Sequence, residues 1–271
     1  MSAQLGDGQL EKLLRAVFCA GRVILDVRKA GIIVSSKQDN SPVTKADQAA
    51  EQVLLAALQE QFPQIPVIAE EAVSAGDLPV VGDAFFLVDA LDGTKEFIRG
   101  SADFTVNIGL IHNAVPVFGI VYAPVDGRLF VGETDIGAWQ AKVDCSKSNP
   151  QVTQKQPLKT RKMPDEDRIA LASRSHRDKK TDAWLAANRI DHIISAGSSL
   201  KFCMLAAGEA DVYPRFGPTM EWDTAAGHAV LCAAGGALTE ISGARFLYGK
   251  EDQNLPFLNP DFIATGGHFH E

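Results

Sequence analysis

Apolar residues at helical spacing, Leu10, Leu13, Leu14, Val17, Phe18, Gly21, Ile24 and Leu25, predict an amphipathic helix over residues 8–30. A second helix is predicted to begin near Thr44. There Thr44-Lys-Ala-Asp47 has the form of a capping box with Asp in place of Glu, and Ala50, Val53, Leu54 and Leu58 recur on one face. The short apolar runs Ile65–Ala69 and Ala84–Val88 predict buried strands. Alternation through Phe104–Ile111 and again through Val115–Tyr122 predicts two antiparallel strands joined by a tight turn at His112-Asn113.

Residues 143–166 break this pattern, because Ser, Lys, Gln and Pro dominate and few apolar anchors remain. A domain boundary is expected there, dividing the chain into 1–145 and 146–271. Beyond it, strand and helix signals alternate through Arg168–Ser173, Lys179–Asn188, His192–Ser195, Ser198–Ala207, Ala210–Tyr213 and Asp223–Ala234, ending with strands near Ala237–Ile241 and Asp261–Ala264. That succession implies α/β layering. No internal repeat is visible.

The 271 residues suffice for one large or two modest domains, and 46% hydrophobic with 22% charged residues is the balance of a soluble globular chain. With 34 acids against 26 bases the formal charge is −8, which argues against a general nucleic-acid binder. The same excess would repel an anionic substrate. No basic segment followed by an apolar run opens the sequence, and no apolar stretch approaches the roughly 20 residues that span a bilayer. Cys19, Cys145, Cys203 and Cys232 form no C-x-x-C pair, and buried free thiols are expected rather than a metal cluster or a disulfide framework. A reducing cytoplasm fits this usage, with peripheral membrane attachment left open.

The densest chemical signal is Phe85-Phe-Leu-Val-Asp89-Ala-Leu-Asp92-Gly93-Thr94. An apolar strand runs into two carboxylates three residues apart, then a glycine turn and a hydroxyl. Burial of the strand would fix Asp89 and Asp92 where the chain leaves the sheet, a usual place for ligands in α/β folds. Two carboxylates so close raise each other's pKa unless a cation neutralises them, and an oxygen-only set suits Mg²⁺ or Mn²⁺ better than zinc. The plainer reading is a polar strand end, since Asp-Gly is a common turn pair. An EF-hand is excluded because its alternating acids and terminal Glu are absent.

Glu70-Glu71 follows the strand Pro66–Ala69 in a similar way, Asp47 sits at the capping-box position, and Trp222-Asp223 opens a small-residue helix with Asp223 as its default N-cap. Each acid alone has an ordinary structural explanation. Four acidic stations, three of them at element ends, favour a shared metal site.

Together Thr44–Asp47, Glu70-Glu71, Asp89–Thr94 and Trp222–Gly227 resemble the motif set of the lithium-sensitive, magnesium-dependent phosphatases, the inositol monophosphatase superfamily. The resemblance covers nearly the whole chain. Within the superfamily, Asp92–Phe97, Gly197–Cys203 and Tyr213–Asp223 look most like the bacterial bisphosphate nucleotidases. It implies an αβαβα five-layer sandwich with two sheets, and the site between the two halves.

The resemblance further implies that Glu70, Asp89 and the carbonyl of Leu91 hold one metal ion. Asp89, Asp92 and Asp223 would hold a second, and Glu70 would help a looser third. Gly93 and Thr94 would receive the scissile phosphate, and Thr94, oriented by Asp47, would position the attacking water beside Glu70. The family commonly has proline between the two aspartates; here it is Ala90, which loosens the turn without removing a ligand. His176, Ser198, Lys201 and Arg215 correspond to positions that face the nucleotide and its non-cleaved phosphate. Lys and Arg suit a dianionic phosphate, and Ser198 near a helix start adds an anion-friendly terminus. A turn residue at His176 and a solvated helix face at Lys201 are the competing structural readings. His112 and His228 read as structural, His268 and His270 as solvent-exposed.

The activity so implied is metal-assisted hydrolysis of a phosphomonoester with no covalent phosphoenzyme. The favoured substrate is 3′-phosphoadenosine 5′-phosphate, giving AMP and phosphate as a clearance step of sulfate assimilation. Inositol monophosphatase activity is the alternative within the class, and a catalytically inactive metal- or phosphate-binding regulatory protein is the alternative outside it. No G-x-x-x-x-G-K-[ST] is present, which disfavours an NTP-driven reaction. The expected partner is a small phosphorylated nucleotide, and the chain is expected to be a monomer or homodimer.

Overall fold

The computed structural model describes residues 5–36, 42–144, 150–175, 178–251 and 254–267. Cys145, His176, His268 and His270 lie outside the described residues. In chain order the first half runs α1 (Asp7–Ala30), β1 (Val34–Ser36), β2 (Pro42–Thr44), α2 (Lys45–Gln61), β3 (Val67–Ala69), α3 (Glu70–Ser74), β4 (Ala84–Asp92) and α4 (Thr94–Ile98). A meander follows: β5 (Thr105–His112), β6 (Val115–Ala123), β7 (Arg128–Glu133), β8 (Gly137–Asp144) and β9 (Gln151–Leu158). The remainder is β10 (Ile169–Ser173), α5 (Lys179–Ala187), β11 (His192–Ala196), α6 (Leu200–Ala206), β12 (Val212–Arg215), α7 (Glu221–Ala233), β13 (Ala237–Glu240) and β14 (Phe262–Thr265).

Strands β3 to β9 form a seven-stranded sheet in sequential order, parallel between β3 and β4 and antiparallel thereafter. A five-stranded sheet has the order β11-β10-β12-β14-β13, and β1 and β2 make a small hairpin. Period-two alternation explains how both faces of the larger sheet are buried. On β4, Phe86, Val88 and Ala90 enter the core under α1 and α2, while Phe85 and Leu87 enter the core shared with α6, α7 and the smaller sheet. A third cluster, Ala170, Leu185, Ile190 and Val212, seats α5 on the outer face of the smaller sheet. The layers are therefore helix pair, large sheet, α6 with α7, small sheet and α5.

The turn between β5 and β6 is carried by Asn113 and Ala114, both at positive φ (50° and 61°), a twist that matches the flanking strands. It sits one residue later than the pattern suggests. Strand β9 lies inside the 143–166 stretch where the apolar signal fails. It is an exposed edge strand up to Leu158, so it needs no apolar alternation, and among the described residues it pairs only with β8. The change from one sheet to the other falls between Leu158 and Ile169. Cys19, Cys203 and Cys232 are free thiols, as expected, but only Cys203 of these three is buried; Cys19 and Cys232 are exposed on their helices, which corrects the expectation of burial for them. No described helix is long and apolar enough to cross a membrane.

Helix α7 is where the two halves lock. A row of paired glycines, Gly109, Gly119 and Gly132, crosses β5, β6 and β7. A Cβ on Gly109 would lie 2.8 Å from Ala225 Cβ, and one on Gly132 2.5 Å from Val230 Cα; one on Gly119 would run into the Ala226 carbonyl. The glycines let α7, itself rich in alanine, approach the sheet backbone. That contact delivers the first turn of α7 to the end of β4.

Candidate metal and phosphate site

In a regular strand Asp89 and Asp92 would point to opposite faces, since they are three residues apart. The register prevents this. Asp89 faces Asn107 and Asp92 faces Thr105, so three steps on β4 match two on β5. The extra residue is a β-bulge. It brings both carboxylates to one side, while Ala90 and Leu91 are taken up by the core beneath α1 and α2. Asp89 Oδ1 accepts the Leu91 N–H at 2.9 Å, which holds the bulge closed.

Asp223 meets them from α7. The helix begins at Glu221, so Asp223 is its third residue and not its N-cap; Asp223 Oδ2 reaches back to accept the Met220 N–H at 2.7 Å. The carboxylate oxygens of Asp89, Asp92 and Asp223 lie within 4.8 Å of one another. Burial pushes the Asp89 carboxyl well above the usual range, and the charges of Glu70, Asp92 and Asp223 push it further. Asp223 is raised by burial and then by Asp92 and Glu70. Asp92 is raised by burial, with Lys201 and Ser199 pulling the other way.

Two buried oxygens, Thr105 Oγ1 and Asn107 Oδ1, have no hydrogen-bond partner among the described residues, and they belong to the residues opposite the two aspartates. Clustered carboxylates with unpartnered oxygens beside them form an oxygen-only donor set that a hard divalent cation fits.

Glu70 opens α3, and its charge acts on both Asp89 and Asp223. Asp47, 3% exposed, is held by the α2 capping box: its Oδ2 accepts the Thr44 N–H and the Thr44 hydroxyl, each at 2.7 Å. Its Oδ1 accepts the Thr94 hydroxyl at 2.9 Å, and that hydroxyl is also 3.3 Å from the Leu91 carbonyl. Gly93 adopts φ 95°, ψ 41°, and a Cβ there would lie 3.0 Å from the Asp103 carbonyl, so the turn into α4 requires glycine.

The second half supplies the opposite charge. Lys201 is 4% exposed; its Nζ donates to the Ser198 carbonyl at 2.5 Å and lies 5.1 Å from the Tyr213 ring centre. Burial lowers the Lys201 ammonium to about 8; Asp92 opposes this shift and Arg215 adds to it. Arg215 Nε and Nη2 donate to the Gly217 and Pro218 carbonyls at 3.2 and 3.0 Å. Ser198 is held at φ 50° just before α6, with its hydroxyl 3.4 Å from the Leu200 N–H.

A cleft of about 290 Å³ is lined by Glu70, Asp92, Gly93, Thr94, Ser198, Lys201, Arg215 and Asp223 among others. Asp47, Asp89 and Leu91 lie behind this wall, and His176 is outside the described residues. Sequence reasoning missed Ser199, whose N–H and hydroxyl both approach Asp92 Oδ2, at 2.5 and 2.9 Å. The hydroxyl is also 2.8 Å from the Asp223 carbonyl. It also missed Asn107, and Glu51 on α2, whose four-residue spacing from Asp47 was the available signal.

The model of the inositol monophosphatase family matches residues 9–259. The chain belongs to the inositol monophosphatase family. Among its relatives, the 3′(2′),5′-bisphosphate nucleotidase CysQ of Salmonella typhimurium is 40% identical over 259 residues, 94% of this chain and 99% of that protein. CysQ of Escherichia coli K12 is 41% identical over 233 residues, covering 86% of this chain and 88% of that one. The crystal structure of CysQ from Bacteroides thetaiotaomicron superposes with a TM-score of 0.77 at 38% identity, over 94% of this chain and 96% of that chain. An inositol monophosphatase structure from Anabaena, at 24% identity and TM-score 0.71 over 95% and 90% of the two chains, shares the fold. Family membership makes the chain a metal-dependent phosphatase, and the acidic triad Asp89, Asp92 and Asp223 could hold a metal ion.

Proposed function

We propose that this chain is a 3′(2′),5′-bisphosphate nucleotidase that hydrolyses 3′-phosphoadenosine 5′-phosphate to AMP and phosphate with Mg²⁺ as its ion. The observation that carries the reading is one cleft holding both a carboxylate cluster and the buried cations Lys201 and Arg215. A monophosphate needs only the first; a substrate with a second, uncleaved phosphate uses both.

Glu70, Asp89 and the Leu91 carbonyl would hold one ion, Asp89, Asp92 and Asp223 another, with Glu70 assisting a third. Bound there, divalent ions supply an acidified water and charge to offset the leaving oxygen. The Thr94 hydroxyl donates its hydrogen bond to Asp47 Oδ1, which leaves its oxygen able to accept one from the attacking water. Glu70, which lines the same cleft as Thr94, would help orient that water. Gly93 and Thr94, at the start of α4, offer N–H groups to the phosphate being cleaved. Lys201, Arg215 and Ser198 bind the other phosphate and thereby fix the sugar for in-line attack.

The test is phosphate release from 3′-phosphoadenosine 5′-phosphate and from inositol 1-phosphate, each with and without Mg²⁺. Mg²⁺-dependent turnover favouring the nucleotide is expected. A preference for inositol 1-phosphate would replace the substrate assignment, and no turnover on either would leave the inactive-scaffold reading.

A further inference from the structure

Helix α3 must present Glu70 to the cluster, yet it is poorly equipped to hold a direction. It has five residues, far below the length at which a helix is stable by itself, and none of them is buried. Its apolar residues Ala72 and Val73 pack against the two cores only partly buried, so side-chain packing alone holds its rotation loosely. The anchor comes from another helix. Glu51 on α2, 4% exposed, accepts the Glu71 N–H at Oε2 (2.8 Å) and the Ala72 N–H at Oε1 (2.9 Å). These are the second and third N–H groups of α3, which have no partner inside the helix.

We infer that Glu51 is a positioning residue for the metal site: its carboxylate grips the first turn of α3 and so sets the direction of Glu70. A bidentate grip on consecutive N–H groups fixes rotation as well as position, which a single cap bond does not. An anion at a helix N-terminus also compensates the local dipole, so the grip is charge-assisted. Asp47 and Glu51 are four residues apart on one face of α2, both buried. The same helix face thus holds Thr94 through Asp47 and Glu70 through Glu51. The inference rests on the reading of Glu70 as a metal ligand.

The experiment is Mg²⁺ binding to the metal-free protein by titration calorimetry, for Glu51→Gln, Glu70→Gln and the double variant. Glu51→Gln keeps the volume and one acceptor oxygen but turns an NH₂ group toward the other N–H, so the fold survives while the grip is halved. Residues that support metal ligands from behind are worth about 10–100-fold in metal affinity, and a loss of about 10-fold is expected here. The KM for nucleotide at saturating Mg²⁺ should stay within about twofold, because Glu51 does not reach the Lys201 side of the cleft. In the double variant the Glu51 change should add nothing to the loss caused by Glu70→Gln, since it acts through that residue. If Glu70→Gln weakens Mg²⁺ binding while Glu51→Gln only lowers the melting temperature, this inference is overturned and the metal reading stands. Additive losses in the double variant would also overturn it. Unchanged binding in Glu70→Gln would overturn the ligand assignment and the inference together.

Discussion

Asp89 is the residue on which the site's opposing demands converge. It is 2% exposed, faces three other acids, and accepts a backbone N–H from the bulge. Asn is nearly the same shape and its Oδ1 can accept that N–H, so Asp89→Asn removes charge without opening a cavity. The metal-free variant should melt about 2–4 °C higher for each kcal/mol of repulsion relieved, yet show no turnover and no rise in melting temperature with Mg²⁺. Retained activity would sink the shared-ligand role of Asp89. Lys201 gives a pH signature. Its ammonium titrates near 8, so it is charged below that value and neutral above it. kcat/KM for the nucleotide should fall as pH rises through about 8, and Lys201→Arg should flatten that limb because guanidinium stays charged. Arg215→Ala should raise the nucleotide KM at least tenfold and leave the Mg²⁺ affinity unchanged. The acids at strand and helix ends were legible because their positions follow from hydrophobic pattern alone. Ser199 was not, since its partner lies 107 residues away in sequence, and Glu51, whose partner lies 20 residues away, left only its spacing from Asp47 as a sign.

At the scale of elements, the site depends on two local departures from regularity that no periodicity announces. One is the bulge between Asp89 and Asp92; the pattern shows an apolar run meeting two acids, not that an extra residue turns them to the same side. The other is the glycine row under α7. Read singly, Gly109, Gly119 and Gly132 are weak strand positions; only the pairing of β5, β6 and β7 aligns them into a seat. Gly119→Ala tests that seat. Its Cβ would meet the Ala226 carbonyl, backbone that cannot swing aside, so α7 must shift. A destabilisation of about 2 kcal/mol or more is expected from overpacking. Because α7 carries Asp223, Mg²⁺ should also bind more weakly. A lower melting temperature with unchanged Mg²⁺ affinity would mean that Asp223 tolerates movement of its helix. Strand β9 illegibly escapes the pattern for the opposite reason, having almost no buried face to write one.

At the scale of the whole molecule, a net charge of −8 first suggested repulsion of an anionic substrate. The fold separates the charges. Asp89 and Asp92 come from the large sheet, Asp223 from the helix between the sheets, Lys201 from α6 beside it, and Arg215 from a strand of the small sheet. Cations gathered by the acids would then face phosphate from one side and Lys201 with Arg215 from the other. This arrangement ties stability to the ion and to pH with a definite sign. The folded, metal-free protein holds Asp89, Asp92 and Asp223 at raised pKa values, whereas the unfolded chain ionises them near the ordinary 3.8. Above that pH the native state therefore binds more protons than the unfolded one, and their contribution to stability falls as pH rises through the raised values. Mg²⁺ competes with those protons, so the stabilisation it confers should grow over the same range. Melting curves with saturating Mg²⁺ and with EDTA should lie closer together at pH 5.5 than at pH 8, and the gap should vanish in Asp89→Asn at both. A gap of equal size at the two pH values would mean that Mg²⁺ binds somewhere other than this cluster.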